Sequence, residues 1–159
     1  MGELASGFQS YLCDQLSESY PSLDWKTEHR IAGTPVDIAG VGDGTLFLIE
    51  LEWRRADPAD NSAKLFRHLT TGEIDQNHVT VVQIFTGYYN LASGEVSSKR
   101  KNSEFIGHIA EDIIDALSYH SVDFDPEPPK RGNDWEDDWI DNAKETLSEI
   151  SSQVSVTEE

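Results

Sequence analysis

The chain has 159 residues, of which 30 are acidic and 12 are basic, and this gives a formal net charge of −18. That length suits one domain with a hydrophobic core, and no apolar run is long enough to cross a membrane. A single cysteine, Cys13, excludes internal disulfides and cysteine-built zinc sites, and the N-terminal segment does not resemble a signal peptide, so we expect a cytoplasmic protein.

The first part of the chain predicts a helix followed by three strands. Apolar residues recur at three- and four-residue spacing over residues 4–16, and Pro21 ends this first helix. Strands are predicted over residues 25–31, 35–40 and 46–53. The pair Asp43-Gly44 lies between the last two strands and indicates a tight hairpin turn, in which both central residues need positive φ.

The middle of the chain predicts a helix and a buried strand. Asp57-Pro58 breaks the third strand, and Asp60 or Asn61 is the candidate cap of a helix that runs to about residue 70. The residues of its predicted buried stripe are Ala63 and Phe66, with Leu65 and Leu69 as further candidates. The β-branched run at 79–85 predicts a central strand covered on both faces.

The clearest predicted helix spans residues 104–117, followed by a short strand at 121–124. The apolar residues predicted on its inner side are Phe105, Ile106, Ile109, Ile113, Ile114 and Leu117. Prolines indicate a linker over residues 126–134, and residues 135–159 form a final helix with an acidic tail. The apolar residues of that helix, for docking on the domain or on a partner, are Trp135, Trp139, Ala143, Leu147, Ile150 and Val154.

Residues 1–125 therefore predict one α/β domain with a mixed central β-sheet flanked by helices. Its hairpin brings acidic side chains together. With a two-residue turn at Asp43-Gly44, paired positions sum to 87, so Asp37 faces Glu50 at about 4.5–5.5 Å between Cβ atoms. Glu52 lies on the same face as Glu50 because strand side chains alternate. Carboxylates this close repel without a cation, and they suit Mg²⁺ or Mn²⁺, which take oxygen ligands.

Asp37, then Glu50-Leu51-Glu52 thirteen positions later, then a helix with Asn61 and Lys64, resembles the core of the PD-(D/E)xK nucleases. The run IELEWRRADPADNSAKLFRHL is similar to the motif region of some type II restriction endonucleases, and the resemblance covers roughly residues 4–86. It implies a restriction endonuclease-like fold and a metal-dependent endonuclease that hydrolyses DNA phosphodiester bonds.

The resemblance also implies roles for individual residues. Asp37 and Glu50 would bind Mg²⁺ or Mn²⁺, assisted by the Leu51 carbonyl. Glu52 stands where the motif has lysine; some restriction enzymes carry glutamate there to position or deprotonate water. In other members the lysine has moved to the following helix, which makes Lys64 a second catalytic candidate. Glu28 is the candidate for an additional acid near the metal.

Basic residues gather near this motif although acids predominate in the chain. Seven of the twelve fall in two places, Arg54, Arg55, Lys64 and Arg67 after the motif and Lys99, Arg100 and Lys101 in a predicted loop. With Asn61, they predict a local surface for the phosphates of DNA. The alternative is that the two arginines after the motif pair with acids, that the lysine is ordinary helix surface, and that Asn61 only caps the helix.

Three functions are open at this point. The first is a DNA endonuclease, in which a cut through both strands needs two copies of the chain, joined through the C-terminal helix. The second is a catalytically inactive nuclease-like domain that binds nucleic acid or protein. The third is an acidic protein that occupies a partner's nucleic-acid groove. Because the acids are spread along the whole chain, the net charge favours a protein from a halophile.

Overall fold

The computed structural model describes residues 3–71, 74, 76–129 and 139–158. The elements, in chain order, are α1 (Glu3–Ser19), β1 (Asp24–Ile31), β2 (Thr34–Gly42), β3 (Thr45–Glu52), α2 (Pro58–Leu69), β4 (His78–Thr86), a 3-10 turn (Gly87–Tyr89), α3 (Ser98–Ile113), β5 (Leu117–Phe124) and α4 (Trp139–Glu158). The strands form one sheet in the order β1-β2-β3-β4-β5. The first two pairings are antiparallel and the last two parallel. The predicted α/β class with a mixed sheet is confirmed.

The β2–β3 hairpin has the predicted register. Gly42 pairs with Thr45, and Ile38 pairs with Ile49, so paired positions sum to 87. Gly44 takes a φ of 78°, which glycine adopts without a steric penalty. Asp43 does not share this conformation, so one residue of the turn is left-handed instead of the expected two.

Two apolar clusters cover the two faces of the sheet. The first lies between the sheet and the helices α1 and α4, and its most buried members are Phe8, Leu12, Leu16, Ile38, Phe47, Ile49, Val82, Phe124, Ala143 and Ile150. The second lies under α2 and α3, and it includes Val36, Ala39, Leu46, Leu48, Leu65, Phe66, Val81, Ala110 and Tyr119. β3 is the central strand of the sheet, and its side chains contribute to both clusters.

α2 begins earlier than predicted because Asp57, not Asp60 or Asn61, is its cap. The Asp57 carboxylate accepts a hydrogen bond from the Asp60 backbone nitrogen at 3.3 Å. Pro58 then occupies the first turn, where its missing N–H costs no helical hydrogen bond. Leu65, Phe66 and Leu69 are buried as predicted, whereas Ala63 is exposed.

The prediction for α3 was wrong in both its bounds and its inner face. The helix starts after Ser97, whose hydroxyl caps it, so residues 99–101 lie in its first turn and not in a loop. Phe105, Ile109 and Ile113, predicted to face the core, are exposed by 66%, 41% and 73%. The inner residues are instead Arg100, Ser103, Gly107 and Ala110. Leu117 belongs to β5, and this strand is longer than the predicted 121–124.

The reason for this orientation of α3 is its close approach to β5. A Cβ atom at Gly107 would overlap the ring of Tyr119, so only glycine lets the helix come this near. Small and polar residues therefore face the sheet, and the apolar periodicity marks the outer surface. Of the predicted inner residues, Ile106 and Ile114 are partly buried against the second cluster.

α4 packs on the sheet of its own chain. Ala143 and Ile150 are buried in the first cluster, and Trp139 and Leu147 pack against it. This apolar face is therefore not free to join two copies of the chain. Trp135, part of the predicted linker and the side chain of Val154 lie outside the described residues. Among the helices that the structure describes, none has the length and apolar character required to cross a lipid bilayer.

Candidate active site

Strands β1 and β2 change face at the point where two acids lie opposite each other. Ile38 packs in the first cluster and Val36 in the second, although regular alternation would place both on one face. In β1 the same change separates Trp25 from Ile31. Glu28 lies between them with a φ of 54°, a backbone state that costs a non-glycine residue about 1–3 kcal/mol.

This irregularity frees Asp37 to contact β3 through its side chain. The Asp37 Oδ2 atom accepts a hydrogen bond from the Leu51 backbone nitrogen at 2.8 Å, just beyond the last paired residues of the β2–β3 ladder. The carboxyl of Asp37 is also a neighbour of that of Glu50, and both side chains line one cavity. The structure thus brings together the two acids that the hairpin register placed opposite each other.

Both acids have raised pKa values. Burial raises the pKa of Asp37 and the charge of Glu28 adds to this, while the hydrogen bonds from Leu51 and Glu50 oppose it. The pKa of Glu50 lies well above its usual value, first because of burial and then because of the neighbouring Asp37 charge. Burial and the neighbouring Asp37 charge thus both favour the protonated form of Glu50 when no cation is bound.

Glu52, the third predicted acid, is fully buried at 0% exposure. Its Oε1 atom accepts hydrogen bonds from Asn61 Nδ2 at 3.0 Å and from Gln83 Nε2 at 3.1 Å. Within the described residues its Oε2 atom has no hydrogen-bond partner, and the Nε atom of Arg55 lies 3.8 Å away. Burial raises the pKa of Glu52, against the effect of Asn61, Arg55 and Gln83.

Gln83, which the sequence analysis did not single out, is the centre of a buried polar network. Its Nε2 atom also lies 2.7 Å from Ser62 Oγ and 3.0 Å from Ser103 Oγ. Its Oε1 atom accepts hydrogen bonds from the hydroxyls of Tyr119 and Ser103. The network joins α2, α3 and β5 to the Glu52 carboxylate. The available signal was one glutamine inside an otherwise apolar strand, where a polar side chain needs partners.

A cavity of about 390 Å³ opens above the Asp37–Glu50 pair. Its lining includes both acids together with Glu28, Leu51, Arg55, Asn61 and Lys64, but not Glu52. The side chains of Arg55 and Lys64 are exposed, so two cations border the cavity. The Asn61 amide faces Glu52 and not the helix end, so its predicted role as a cap is wrong.

The remaining predicted cations are distributed differently. Arg67 is exposed on the last turn of α2 and does not line the cavity. Arg100 is buried and forms ion pairs with Asp123 and, at 3.4 Å, with Glu104. Its guanidinium is thus held inside the fold, which removes it from the predicted phosphate-binding set. Arg54, Lys99 and Lys101 are exposed.

The donors at the Asp37–Glu50 pair fit a hard divalent cation. They are carboxylate oxygens beside the Leu51 main chain, and burial, the first cause of their raised pKa values, makes the charged carboxylates costly unless a cation binds them. In residues 3–71, 74, 76–129 and 139–158, no three acidic, histidine or cysteine side chains form a group that could hold a metal ion alone. Mg²⁺ needs only one or two carboxylates, because water and substrate phosphates complete its shell.

Comparisons with known proteins add little to this description. No protein-family model matches the chain, and no curated protein matches it. Among solved structures, the chain is similar to the crystal structure of a repair endonuclease from Pyrococcus abyssi, with 20% identity and a TM-score of 0.39. The alignment covers 75% of this chain and 47% of the other, so the chain spans about half the length of that protein. We draw nothing about activity from a likeness at this level.

Proposed function

We propose that this chain is a metal-dependent nuclease that hydrolyses phosphodiester bonds in DNA. The observation that carries the proposal is that Asp37, fixed by the Leu51 N–H, and Glu50 line one cavity bordered by Arg55 and Lys64. Two neighbouring acids, of which Glu50 is buried, destabilise a fold when both are charged, so their proximity favours a functional explanation. The cations beside them supply contacts for a phosphate.

In this proposal Asp37, Glu50 and the Leu51 carbonyl hold Mg²⁺ or Mn²⁺. When bound, such an ion stabilises the negative charge that develops on the phosphate and the leaving oxygen, and it lowers the pKa of an attacking water. The protein holds the two acids at fixed positions before the ion arrives. The Leu51 N–H fixes the Asp37 carboxylate, and burial keeps competing water away from Glu50.

Lys64 is the residue to which we assign direct contact with the reacting phosphate. Its ammonium is exposed at the cavity, on the helix that follows the motif. Three N–H donors on a flexible chain suit a phosphate oxygen whose charge increases in the transition state. Arg55 borders the same cavity, and its planar guanidinium suits two phosphate oxygens at once.

Glu52 receives a positioning role in place of the expected catalytic one. A carboxylate with 0% exposure that does not line the cavity cannot touch the substrate. It instead binds the Asn61 amide in the first half of α2, and Lys64 follows Asn61 by three positions, on the same side of the helix. Gln83 holds Glu52 in turn. Glu52, Asn61 and Gln83 thus fix the first half of α2, the helix that carries Lys64.

The experiment that tests the proposal is nicking of supercoiled plasmid in molar KCl with Mg²⁺ or Mn²⁺. Asp37→Ala and Glu50→Ala should abolish nicking, and Lys64→Ala should lower the rate by ~10²-fold or more. Glu52→Gln, which keeps the hydrogen-bond acceptor for Asn61, should retain most activity. Asp14→Ala, at an exposed position on α1, is the matched control for preparation and charge. Nicked circles, not linear plasmid, are expected from a single site.

The alternative is a catalytically inactive domain that binds nucleic acid or protein. The observation in its favour is that the motif lysine is replaced by Glu52, which is enclosed in a structural network. Complete inactivity of the wild type on plasmid and linear DNA, with both metals, would replace the nuclease proposal by this one. Equal traces of cleavage in wild type, Asp37→Ala and Glu50→Ala would indicate a contaminating nuclease and lead to the same conclusion.

A further inference from the structure

Two exposed cations from different elements meet over the ring of Tyr88. The guanidinium carbon of Arg54 lies 5.8 Å from the ring centroid, and the Nζ atom of Lys99 lies 5.5 Å from it. Lys99 Nζ is also 3.5 Å from the Tyr88 hydroxyl. Among the described residues, neither cation has a carboxylate within 4.0 Å, although acids outnumber bases 30 to 12. The surface at Tyr88 is thus a place where positive charge gathers on an acidic protein.

The backbone around Tyr88 holds the ring in place. The Gly87 N–H donates to the Pro126 carbonyl at 3.0 Å, and a Cβ atom at Gly87 would overlap the Asp125 carbonyl oxygen. Arg54 donates a hydrogen bond to the Pro128 carbonyl. The ring of Tyr89 packs edge-on against Tyr88, with 5.1 Å between centroids. An aromatic surface that is already fixed loses little conformational entropy when a ligand binds.

This surface is connected to the proposed active site through Arg55. The Tyr89 hydroxyl accepts a hydrogen bond from the Arg55 backbone nitrogen at 2.8 Å. The Arg55 side chain borders the cavity above Asp37 and Glu50. A nucleic-acid strand with one phosphate at the carboxylate pair would therefore continue along Arg55 and Arg54 onto the Tyr88 ring.

The combination of a ring with two cations suits one form of nucleic acid. In a duplex the base faces are stacked on one another, so a protein ring cannot reach them without unstacking the helix. In a single strand the base faces are free, and aromatic side chains beside a cationic groove bind them with little dependence on sequence. Lys99 and Arg54, both beside the ring, supply positive charge for the phosphates next to such a base.

We propose that Tyr88, Arg54 and Lys99 bind an unpaired nucleotide, with its base on the ring and its phosphates at the two cations. The proposal rests on the nuclease function and adds its substrate class, which is DNA with a single-stranded segment next to the cut. Duplex DNA alone would contact the two cations but leave the ring unused.

The test is binding without cleavage. Asp37→Ala protein in EDTA is titrated into a fluorescently labelled single strand and into the corresponding duplex, and anisotropy is measured. One KCl concentration is used throughout, at which far-UV circular dichroism shows every variant folded. The single strand should bind ~10-fold more tightly than the duplex. Adding Tyr88→Ala should weaken single-strand binding ~10-fold, and Tyr88→Phe should change it little, because the ring remains.

Matched variants separate stacking from general charge. Arg54→Ala and Lys99→Ala should weaken single-strand binding at that KCl concentration. In a separate KCl series they should reduce the dependence of binding on salt, because fewer counterions are released. Lys26→Ala and Arg30→Ala, exposed cations of β1, should not change it. Equal affinity for single strand and duplex would overturn the proposal. So would Tyr88→Ala with unchanged affinity, even where the cation variants bind weakly, since phosphates alone would then be recognised.

The plasmid assay keeps the two proposals apart. Metal-dependent nicking by the wild type, without Tyr88-dependent binding, would retain the nuclease and reject the single-stranded segment. Tyr88-dependent binding by a protein that never cuts DNA would reject the nuclease and support the Tyr88 surface as a single-strand binding site.

Discussion

At the scale of single residues, Glu50 is the acid whose charge depends most on what lies beside it. In the metal-free chain its pKa lies well above the ordinary glutamate value, because burial and the Asp37 charge both disfavour the carboxylate. The folded state therefore binds this proton more tightly than the unfolded state. It follows that the free energy of unfolding decreases as pH rises from about the ordinary glutamate pKa through the raised one.

We expect Glu50→Gln to remove this loss of stability. Glutamine retains an N–H donor for Asp37 and does not ionise. In EDTA at pH 7 the variant should unfold roughly 2–4 °C above the wild type, the shift that ~1 kcal/mol produces in a domain of this size, and the difference should vanish below the ordinary glutamate pKa. Thermal unfolding across pH measures it, with Glu18→Gln on the exposed side of α1 as control.

The same pair of proteins separates stability from metal binding. Mn²⁺ should raise the unfolding temperature of the wild type and leave that of Glu50→Gln unchanged, because the ion stabilises only the state that binds it. Parallel pH profiles for the two proteins in EDTA would contradict the raised pKa. An equal response of both to Mn²⁺ would contradict Glu50 as a ligand.

Gln83 is the residue on which the buried polar network depends. Replacement by leucine would leave the Tyr119 hydroxyl without its acceptor and Glu52 with Asn61 as its sole hydrogen-bond donor among the described residues. Each buried group without a partner costs about 1–3 kcal/mol. We expect Gln83→Leu to lower the free energy of unfolding by ~2–4 kcal/mol in a urea titration, and Gln15→Leu on α1 to change it little. A loss below ~0.5 kcal/mol would contradict the prediction that Tyr119 and Glu52 depend on Gln83 as a buried hydrogen-bond partner.

Sequence reasoning reached the acids of the site but not the residues that support them. The turn at Asp43-Gly44 fixes the register as far as Ile38 and Ile49, and extending that register by one pair predicts Asp37 opposite Glu50. Nothing local indicates that Glu52 points into the protein, because its partners come from α2 and β4, 9 and 31 positions away in the chain. A long-range hydrogen bond of this kind leaves no periodic pattern in a single sequence.

At the scale of elements, the change of face in β1 and β2 is the feature that brings the Asp37 side chain into contact with β3 at the candidate site. Glu28 has a φ of 54°, a backbone conformation that is unfavourable for a residue other than glycine. A glycine there would adopt the same backbone without a clash between Cβ and the main chain. The neighbouring Thr27 is not in this conformation, so the two positions form a natural comparison.

Glu28→Gly should therefore raise the free energy of unfolding, by up to ~1 kcal/mol, despite the lost contact with Gln9. Thr27→Gly should lower it by ~0.5–1 kcal/mol, the usual effect of glycine inside a strand. Urea unfolding of both variants beside the wild type measures the difference. Equal destabilisation by the two substitutions would show that the left-handed residue carries no strain.

α3 shows why hydrophobic periodicity can select the wrong face of a helix. Its inner surface must accommodate the Tyr119 ring and the polar network, so small and polar residues are required there. The apolar residues Phe105, Ile109 and Ile113 then lie outward. Hydrophobic periodicity identifies the face of a helix that carries apolar side chains. That face is the buried one only where the surface that the helix packs against is apolar too.

At the scale of the whole molecule, the net charge of −18 opposes compaction at low salt. The Debye length falls from about 10 Å at 0.1 M to about 3 Å at 1 M salt, so most of the repulsion between exposed acids disappears over this range. We expect the unfolding temperature to rise steeply with KCl up to about 1 M and then to level off. Equal heating curves at low and high KCl would contradict this, and sucrose at matched osmolality is the uncharged control.

The connections between the strands indicate the order in which the sheet forms during folding. β1, β2 and β3 are joined by short turns, whereas β4 and β5 reach the sheet only after α2 and α3. Closing the longer connections costs more chain entropy, so the three-stranded part formed by β1, β2 and β3 should form first. Folding kinetics should then give higher φ-values for Ile38→Val and Ile49→Val than for Val82→Ala and Val122→Ala. A folding chain would bring Asp37 and Glu50 together before the strand that carries Gln83 arrives, so an ion bound at that stage could speed folding itself.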